Sequence, residues 1–145
     1  MHIHKMLQVN EEINQSFQGL IPQLSDHSSP PSRESLMAMA VNGETFIYLA
    51  RHTDSEGKIV GSATLAVFQT PTGVHGWIED VVVDKAVRRQ GVGRALTEAC
   101  LVKARELGLL DVNLTSRPSR IAANQLYQAM GFLRRDTNVY RFALD

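Results

Sequence analysis

The chain has little of what would mark a specialised class. Only one of its 145 residues is cysteine, Cys100, so no intrachain disulfide can form and no zinc site can rest on thiolates. Neither sign of charge is in excess: fifteen Lys and Arg balance fifteen Asp and Glu. A protein that neutralises many phosphates normally carries a basic surplus, so neither nucleic acid nor an anionic membrane is an expected partner. No apolar run approaches the ~18 residues of a membrane span, and the opening residues Met1-His2-Ile3-His4-Lys5-Met6 lack the apolar stretch of a secretory signal. A soluble, cytoplasmic protein is therefore expected. What is present is ordinary for a globular protein, with 43% hydrophobic and 21% charged residues. That balance excludes disordered, collagen-like and coiled-coil chains. The length predicts one domain over residues 1–145.

Patterning predicts alternating elements. Ile3, Leu7 and Val9 suggest a first strand, and Asn10 to Leu24 has helical spacing, with Ile13, Phe17, Leu20 and Ile21 on one side. Ser25 to Ser32 is a low-order stretch with two prolines, and Ser32 can cap a helix over 33–41. Thr45–Arg51 and Ile59–Gln69 read as a hairpin, followed by a strand from His75 to Val83. Val92 to Leu107 is the longest helix signal, with Val92, Leu96, Ala99, Cys100 and Leu107 in one apolar stripe and Lys103 snorkelling from it. Cys100 in that stripe reads as a buried structural thiol. A strand at Leu110–Leu114 follows, then a helix from Arg120 to Met130 capped by Ser119, then a closing hairpin of Phe132–Arg135 and Val139–Ala143. The order is β-α-α-β-β-β-α-β-α-β-β.

The most informative segment is Arg88-Arg89-Gln90-Gly91-Val92-Gly93-Arg94, a turn between a valine-rich strand and the longest helix. Backbone N–H groups at a helix start are unpaired and point toward any bound anion. Cations such as Arg94 disfavour that end of a helix unless an anion compensates. A bound phosphate resolves the conflict; a solvated basic turn with packing glycines is the plainer alternative. Two familiar phosphate loops do not fit. A P-loop would need Lys-Ser/Thr after Gly93, where Arg94-Ala95 stands, and a dinucleotide fingerprint would need a third glycine where Leu96 stands.

Arg88-Arg89-Gln90-Gly91-Val92-Gly93 resembles the Gln/Arg-x-x-Gly-x-Gly/Ala signature of the GCN5-related N-acetyltransferases, the GNAT superfamily. The later block Ala123-Asn124-Gln125-Leu126-Tyr127-Gln128-Ala129-Met130-Gly131-Phe132 resembles that family's last helix, with its Tyr and terminal Gly-Phe. The likeness runs from about residue 45 to 143, with Val87 and Arg89 standing where the family often has an aromatic and a glycine. It implies a single-domain α/β fold whose mixed central sheet is splayed between the strands at about 78–83 and 110–114, with acetyl-CoA in the splay. The backbones of Val81 and Val83 would pair with the pantetheine arm. Arg88, Arg89, Gln90, Gly91, Val92, Gly93 and Arg94 would hold the pyrophosphate, and Asn124 would touch the cofactor from the later helix.

The implied activity is acetyl-CoA-dependent N-acetyl transfer directly to a primary amine, a small molecule in preference to a protein. The other readings are a protein or peptide acetyltransferase and a non-catalytic acyl-CoA-sensing module. Acetyl transfer needs a base for the amine, a stabilised oxyanion and a proton for the leaving thiolate. By its place in the motif Tyr127 resembles the family's proton donor to sulfur. Glu79 and Asp80 are the base candidates. Strand alternation puts their side chains on opposite faces, and Glu79 shares parity with Val81 and Val83. A bulge would change that count, and a water relay could replace direct contact. His75 reads as a polar strand-end residue, Trp77 as core, and Tyr140 as either packing or acceptor pocket. The acceptor is expected to contact residues of about 20–40 and the closing hairpin. No metal is expected, His2 and His4 lacking further ligands, and a homodimer is an expectation.

Overall fold

Turn chemistry and period-2 alternation in the first half of the chain build a sheet, and one long crossover helix adds its last strand. The computed structural model describes residues 1–145, the side chain of Asp54 excepted. The chain falls into two compact units, Met1–Leu114 and Thr115–Asp145. The first contains β1 (His2–Lys5), α1 (Glu11–Leu20), α2 (Arg33–Val41), β2 (Thr45–Arg51), β3 (Ile59–Thr70), β4 (Gly73–Val83), α3 (Val92–Glu106) and β5 (Asp111–Asn113); the second contains α4 (Ile121–Ala129). The strands form one sheet in the order β1-β2-β3-β4-β5. Every neighbouring pair is antiparallel except β4 and β5. Those two are parallel because α3 carries the chain back across the sheet between them.

Local signals set most boundaries. The Ser32 hydroxyl caps α2 by accepting from the Ser35 N–H at 3.1 Å, and Asn10 caps α1 by accepting from the Ile13 N–H at 2.9 Å. The helix expected as far as Leu24 ends as an α-helix at Leu20 and tightens into a 3₁₀ turn over Ile21–Gln23. Pro22 falls at that change, where it has no N–H to continue the α pattern. Ser119 does not cap α4: Arg120 occupies the cap position, without a side-chain bond. The closing hairpin expected over Phe132–Arg135 and Val139–Ala143 is not formed, since residues 133–145 carry no strand.

Two layers cover the sheet. On one face Ile13, Phe17 and Leu20 of α1 and Leu36 of α2 pack with Ile47, Leu49, Ile59 and Val82. On the other lies α3, burying Val92, Leu96, Thr97, Cys100 and Ala104. Leu107, expected in the stripe, is 42% exposed. Thr97 is buried because its hydroxyl donates to the Gly93 carbonyl at 2.8 Å, which satisfies its polar group. Lys103 lies along the apolar stripe with its ammonium 5.2 Å from the centre of the Phe46 ring. Burial pushes the Cys100 thiol up to about 12, so it is an inert core residue at neutral pH.

α3 sits close on β3. A Cβ at Gly61 would lie 3.0 Å from the Val82 carbonyl oxygen and 3.1 Å from both Val92 and Leu96. Gly61→Ala is therefore expected to destabilise the fold by about 1–3 kcal/mol, the usual cost of overpacking a tight contact. Thermal unfolding would show this as a lowered Tm; an unchanged Tm would mean that α3 can lift without cost.

Candidate active site

β4 changes character halfway along. Its first part pairs on both sides, with β3 and, through His75, Gly76 and Trp77, with Asp111, Val112 and Asn113 of β5. Beyond Trp77 the pairing to β5 stops, and β4 continues to Val83 against β3 alone. The sheet thus opens along residues 78–83 of β4, beyond the last pair with β5. At the closed end, the His75 ring bridges the Asp111 carboxylate (2.8 Å) and the Thr72 hydroxyl (3.1 Å), a polar clasp at the start of the strand.

The opening exposes one edge of β4. The Asp84 N–H donates to the Val60 carbonyl on β3 at 2.8 Å. By strand alternation the N–H and C=O groups of Val83 and Val81 face the other way, into the opening. The Arg88 guanidinium already answers one of them, its Nε donating to the Val83 carbonyl at 3.3 Å.

The same turn leads into α3. Arg89 (φ +64°) and Gly91 (φ +82°) both take the left-handed conformation, and Gly91 is the cap residue, with no side-chain hydrogen bond at that helix end. The first intrahelical bond runs from the Ala95 N–H to the Gly91 carbonyl. The N–H groups of Val92, Gly93 and Arg94 precede it and have no partner within the helix. A Cβ at Gly91 would meet nothing within 4 Å. The backbone there faces open space of the sort a phosphate requires. Arg88, Arg89, Gln90 and Arg94 are exposed around it, whereas the Val92 side chain points into the core.

Between these features lies a β-bulge. Thr64 pairs with Glu79 and Ser62 with Val82, so Ala63 alone faces both Asp80 and Val81. Asp80 absorbs the extra residue at φ +51°, a conformation Asp tolerates better than most residues. The bulge overturns the expectation that Glu79 and Asp80 point to opposite faces. Ser62 and Thr64 line a cavity on the α1/α2 face, and so does Asp80. Glu79, paired across from Thr64, shares that face. Partial burial, and then the negative charge of Asp80, raise the Glu79 carboxyl above the ordinary range. A carboxylate shifted upward is a stronger base near neutral pH.

The cavity has a volume of about 280 Å³. Phe17, Ile21 and Leu24 form one wall, Ser28, Ser29 and Pro31 the rim, and Ile47, Ser62, Thr64 and Asp80 the sheet side. The low-order stretch of the sequence thus borders the same space as Asp80. Ser62 and Thr64 were not singled out from the sequence. The available signal was two hydroxyls at period-2 spacing on a face otherwise committed to core.

The second unit places its residues on and around α4. The Asn124 amide nitrogen donates to the carbonyls of Arg117 and Arg120, both at 2.9 Å, and so holds the turn before the helix. Tyr127 is buried, its ring edge-on to Phe132 with centroids 5.7 Å apart.

An α/β sheet parted between parallel strands, with an uncapped helix start at the parting, is the frame of an acetyltransferase. The sequence matches the Acetyltransferase (GNAT) family over residues 6–132, and the chain belongs to that family. Its acetyltransferases use acetyl-CoA. Glucosamine 6-phosphate N-acetyltransferase 1 of Oryza sativa subsp. japonica is 27% identical over 135 residues, spanning 88% of this chain and 79% of the relative. The fold is that of a solved putative acetyltransferase from Agrobacterium tumefaciens, with TM-score 0.83 and 20% identity over 99% of this chain and 100% of the other. It also matches an aminoglycoside acetyltransferase from an uncultured soil metagenomic sample, solved with sisomicin, with TM-score 0.82 and 21% identity over 99% and 96% of the two chains.

Proposed function

We propose that the chain transfers the acetyl group of acetyl-CoA directly to the primary amine of a small molecule, with amino sugars as the first class to test. One observation carries the preference for a small acceptor: Asp80, in the bulge that follows Glu79, lines a small cavity walled by α1, the segment before α2 and the sheet. A pocket of about 280 Å³ suits a compact ligand better than an extended peptide. The amino-sugar class draws support from the rice relative and from the soil aminoglycoside enzyme, whose names both specify amino-sugar substrates.

Cofactor binding and the two proton transfers then fall to particular groups. The open edge at Val81 and Val83 would hold the amides of the pantetheine arm as an added strand does. The N–H groups of Val92, Gly93 and Arg94, reached closely because Gly91 has no side chain, would bind the pyrophosphate. Arg88, Arg89 and Arg94 would supply its counter-charge, and Gln90 lies at the same turn. Asn124 would contribute by fixing the turn before α4. Acetyl-CoA supplies the activated acyl group. The amine must give up a proton, because an alkylamine of pKa ~10.4 is only about 0.1% neutral at pH 7. Glu79 would take it, directly or through water, with Asp80 raising its basicity. Tyr127 would give a proton to the departing sulfur.

The test is a panel of amino sugars, other small amines and lysine peptides incubated with acetyl-CoA, reading thiol release. Turnover of small amines is expected. Turnover of peptides alone would replace this reading with a protein acetyltransferase. Binding of acetyl-CoA with no turnover of any amine would replace it with a sensing module.

Gly91→Asp tests the donor site separately. The substitution adds a side chain and a negative charge where the phosphate is placed, while Asp tolerates the positive φ. Calorimetry should show acetyl-CoA affinity weakened at least tenfold, about 1.4 kcal/mol. Unchanged affinity in a folded variant would move the pyrophosphate elsewhere.

A further inference from the structure

The cavity that Asp80 lines is sorted by polarity. Phe17, Ile21, Leu24 and Met39 give it an apolar side, and on the sheet side stand two hydroxyls and a carboxylate. Ser62 and Thr64 are two residues apart on β3, about 6.5 Å along one face. Ser62 is only 2% exposed, and Thr64 is half-buried. Among the described residues, no hydrogen bond or ion pair engages either hydroxyl or the Asp80 carboxylate. Buried polar groups in native proteins have partners as a rule, so the partners of the two hydroxyls come from what fills the cavity. The charge of the lining is one-sided as well. Asp80 is the only charged residue among the described ones that line it, with no Lys, Arg or His. A phosphate on the ligand would therefore meet a carboxylate and no cation, an unfavourable pairing. Thr64 also stands directly across from Glu79. Side chains paired in this way have Cβ atoms about 4.5–5.5 Å apart. An amine within reach of the Glu79 carboxylate thus brings its neighbouring atoms alongside the Thr64 hydroxyl.

We propose, on the reading that this cavity receives the acceptor, that the acceptor is an unphosphorylated amine with a hydroxyl on the neighbouring carbon. Ser62 and Thr64 are the specificity-determining residues that read that hydroxyl. A ligand hydroxyl donates and accepts, as do those of Ser62 and Thr64, so it can pair with either in either direction. The C–H face of such a molecule lies against Phe17, Ile21, Leu24 and Met39. Asp80 tolerates a cationic or neutral ligand and disfavours an anionic one. Amino sugars fall within this class, and their phosphate esters fall outside it.

Two amines that differ by one hydroxyl supply the test, trans-2-aminocyclohexanol and cyclohexylamine. The readout is the ratio of their kcat/KM values with acetyl-CoA, compared between the unsubstituted chain and the double variant Ser62→Ala with Thr64→Val. The difference in basicity between the two amines is common to both proteins and cancels. Loss of hydrogen bonds to a substrate hydroxyl should lower the ratio at least tenfold. A merely structural role would lower both rates together, and an unchanged ratio overturns the proposal. Removing a buried hydroxyl that has no partner in the protein costs the fold nothing, so the Tm of Ser62→Ala should not fall; a lowered Tm overturns the assignment of Ser62. Glucosamine should be acetylated at least tenfold more efficiently than glucosamine 6-phosphate, and an equal or reversed preference overturns the proposal. Binding is followed apart from turnover, by titrating isotope-labelled protein with each cyclohexyl amine. The amino alcohol should shift the Ser62 and Thr64 amide signals at a concentration at least tenfold lower than cyclohexylamine does. That result without acetylation would remove the acetyl-transfer reading and keep the hydroxyl site. Equal affinities, or binding of neither amine, would overturn the hydroxyl site whether or not turnover occurs. Should the double variant fail to fold, this titration of the unsubstituted chain decides.

Discussion

Glu79→Gln is expected to lower kcat/KM by about 10²–10⁴, the usual contribution of a positioned general base. The substitution keeps the shape of the side chain and its place opposite Thr64, and removes only the capacity to hold a proton. The pH profile gives the sharper test. The Glu79 carboxyl titrates above its ordinary range because it is partly buried and faces Asp80. Activity that needs the ionised form must fall as pH drops through that raised value. In Glu79→Gln the acidic limb should vanish along with most of the rate. Asp80→Asn should behave differently. It removes the neighbouring negative charge, so the Glu79 carboxyl returns toward its ordinary value and the acidic limb moves to lower pH, with a smaller change in the plateau. A large plateau loss in Asp80→Asn with a near-normal Glu79→Gln would assign the base to Asp80, which itself lines the cavity. Folding can be separated from chemistry by the sign of the shift. A raised pKa means that the stabilising form is protonated; its contribution is full at low pH and is lost as pH rises through the raised value. Neutral Gln is therefore not expected to destabilise the protein at pH 7, and a lost rate cannot be put down to lost structure.

Features set by nearby residues were legible in the sequence. The α2 helix runs over Arg33–Val41 with Ser32 as its cap because the capping hydroxyl, the prolines before it and the helix formers after it all lie within a dozen residues. The turn into α3 was legible for the same reason: a left-handed Gly91 followed at once by a helix is a local arrangement. Features that depend on distant partners were not. Alternation alone assigns Glu79 and Asp80 to opposite faces, and nothing near them in the sequence signals otherwise. The bulge arises in the register with Ser62 and Thr64, some sixteen residues earlier; it turns Asp80 to the cavity and leaves Glu79, across from Thr64, on the same face. The C-terminal segment fails for a related reason. Its pattern reads as strand, but a strand needs a neighbour to hydrogen-bond with and a surface to cover its apolar side chains. That neighbour is not specified by the segment's own residues. β5 is shorter than the apolar run from Leu110 to Leu114 suggests because β4 and β5 part after three residue pairs, and that parting opens the site.

Tyr127→Phe is the counterpart test on the leaving-group side. A tyrosine hydroxyl is protonated at neutral pH and can donate to a departing thiolate. Its ring is a separate matter: buried and edge-on to Phe132, it packs the end of α4 whether or not the hydroxyl takes part in chemistry. Phenylalanine keeps that ring and its contact, so the variant should fold with near-normal stability and bind acetyl-CoA with unchanged affinity. If the hydroxyl donates its proton as the carbon–sulfur bond breaks, the interaction belongs to the transition state and not to the ground state. The loss should then appear equally in kcat and kcat/KM, with KM unmoved. A decrease of roughly tenfold to a thousandfold is expected. The leaving group supplies an internal control. Acyl donors whose thiol is more acidic need less help on departure, so the difference between Tyr127→Phe and the unsubstituted protein should shrink along a series of such donors. An undiminished rate in Tyr127→Phe, or a deficit that stays constant across the series, would leave Tyr127 as a packing residue of α4 and return the search for the proton donor to water or to another side chain.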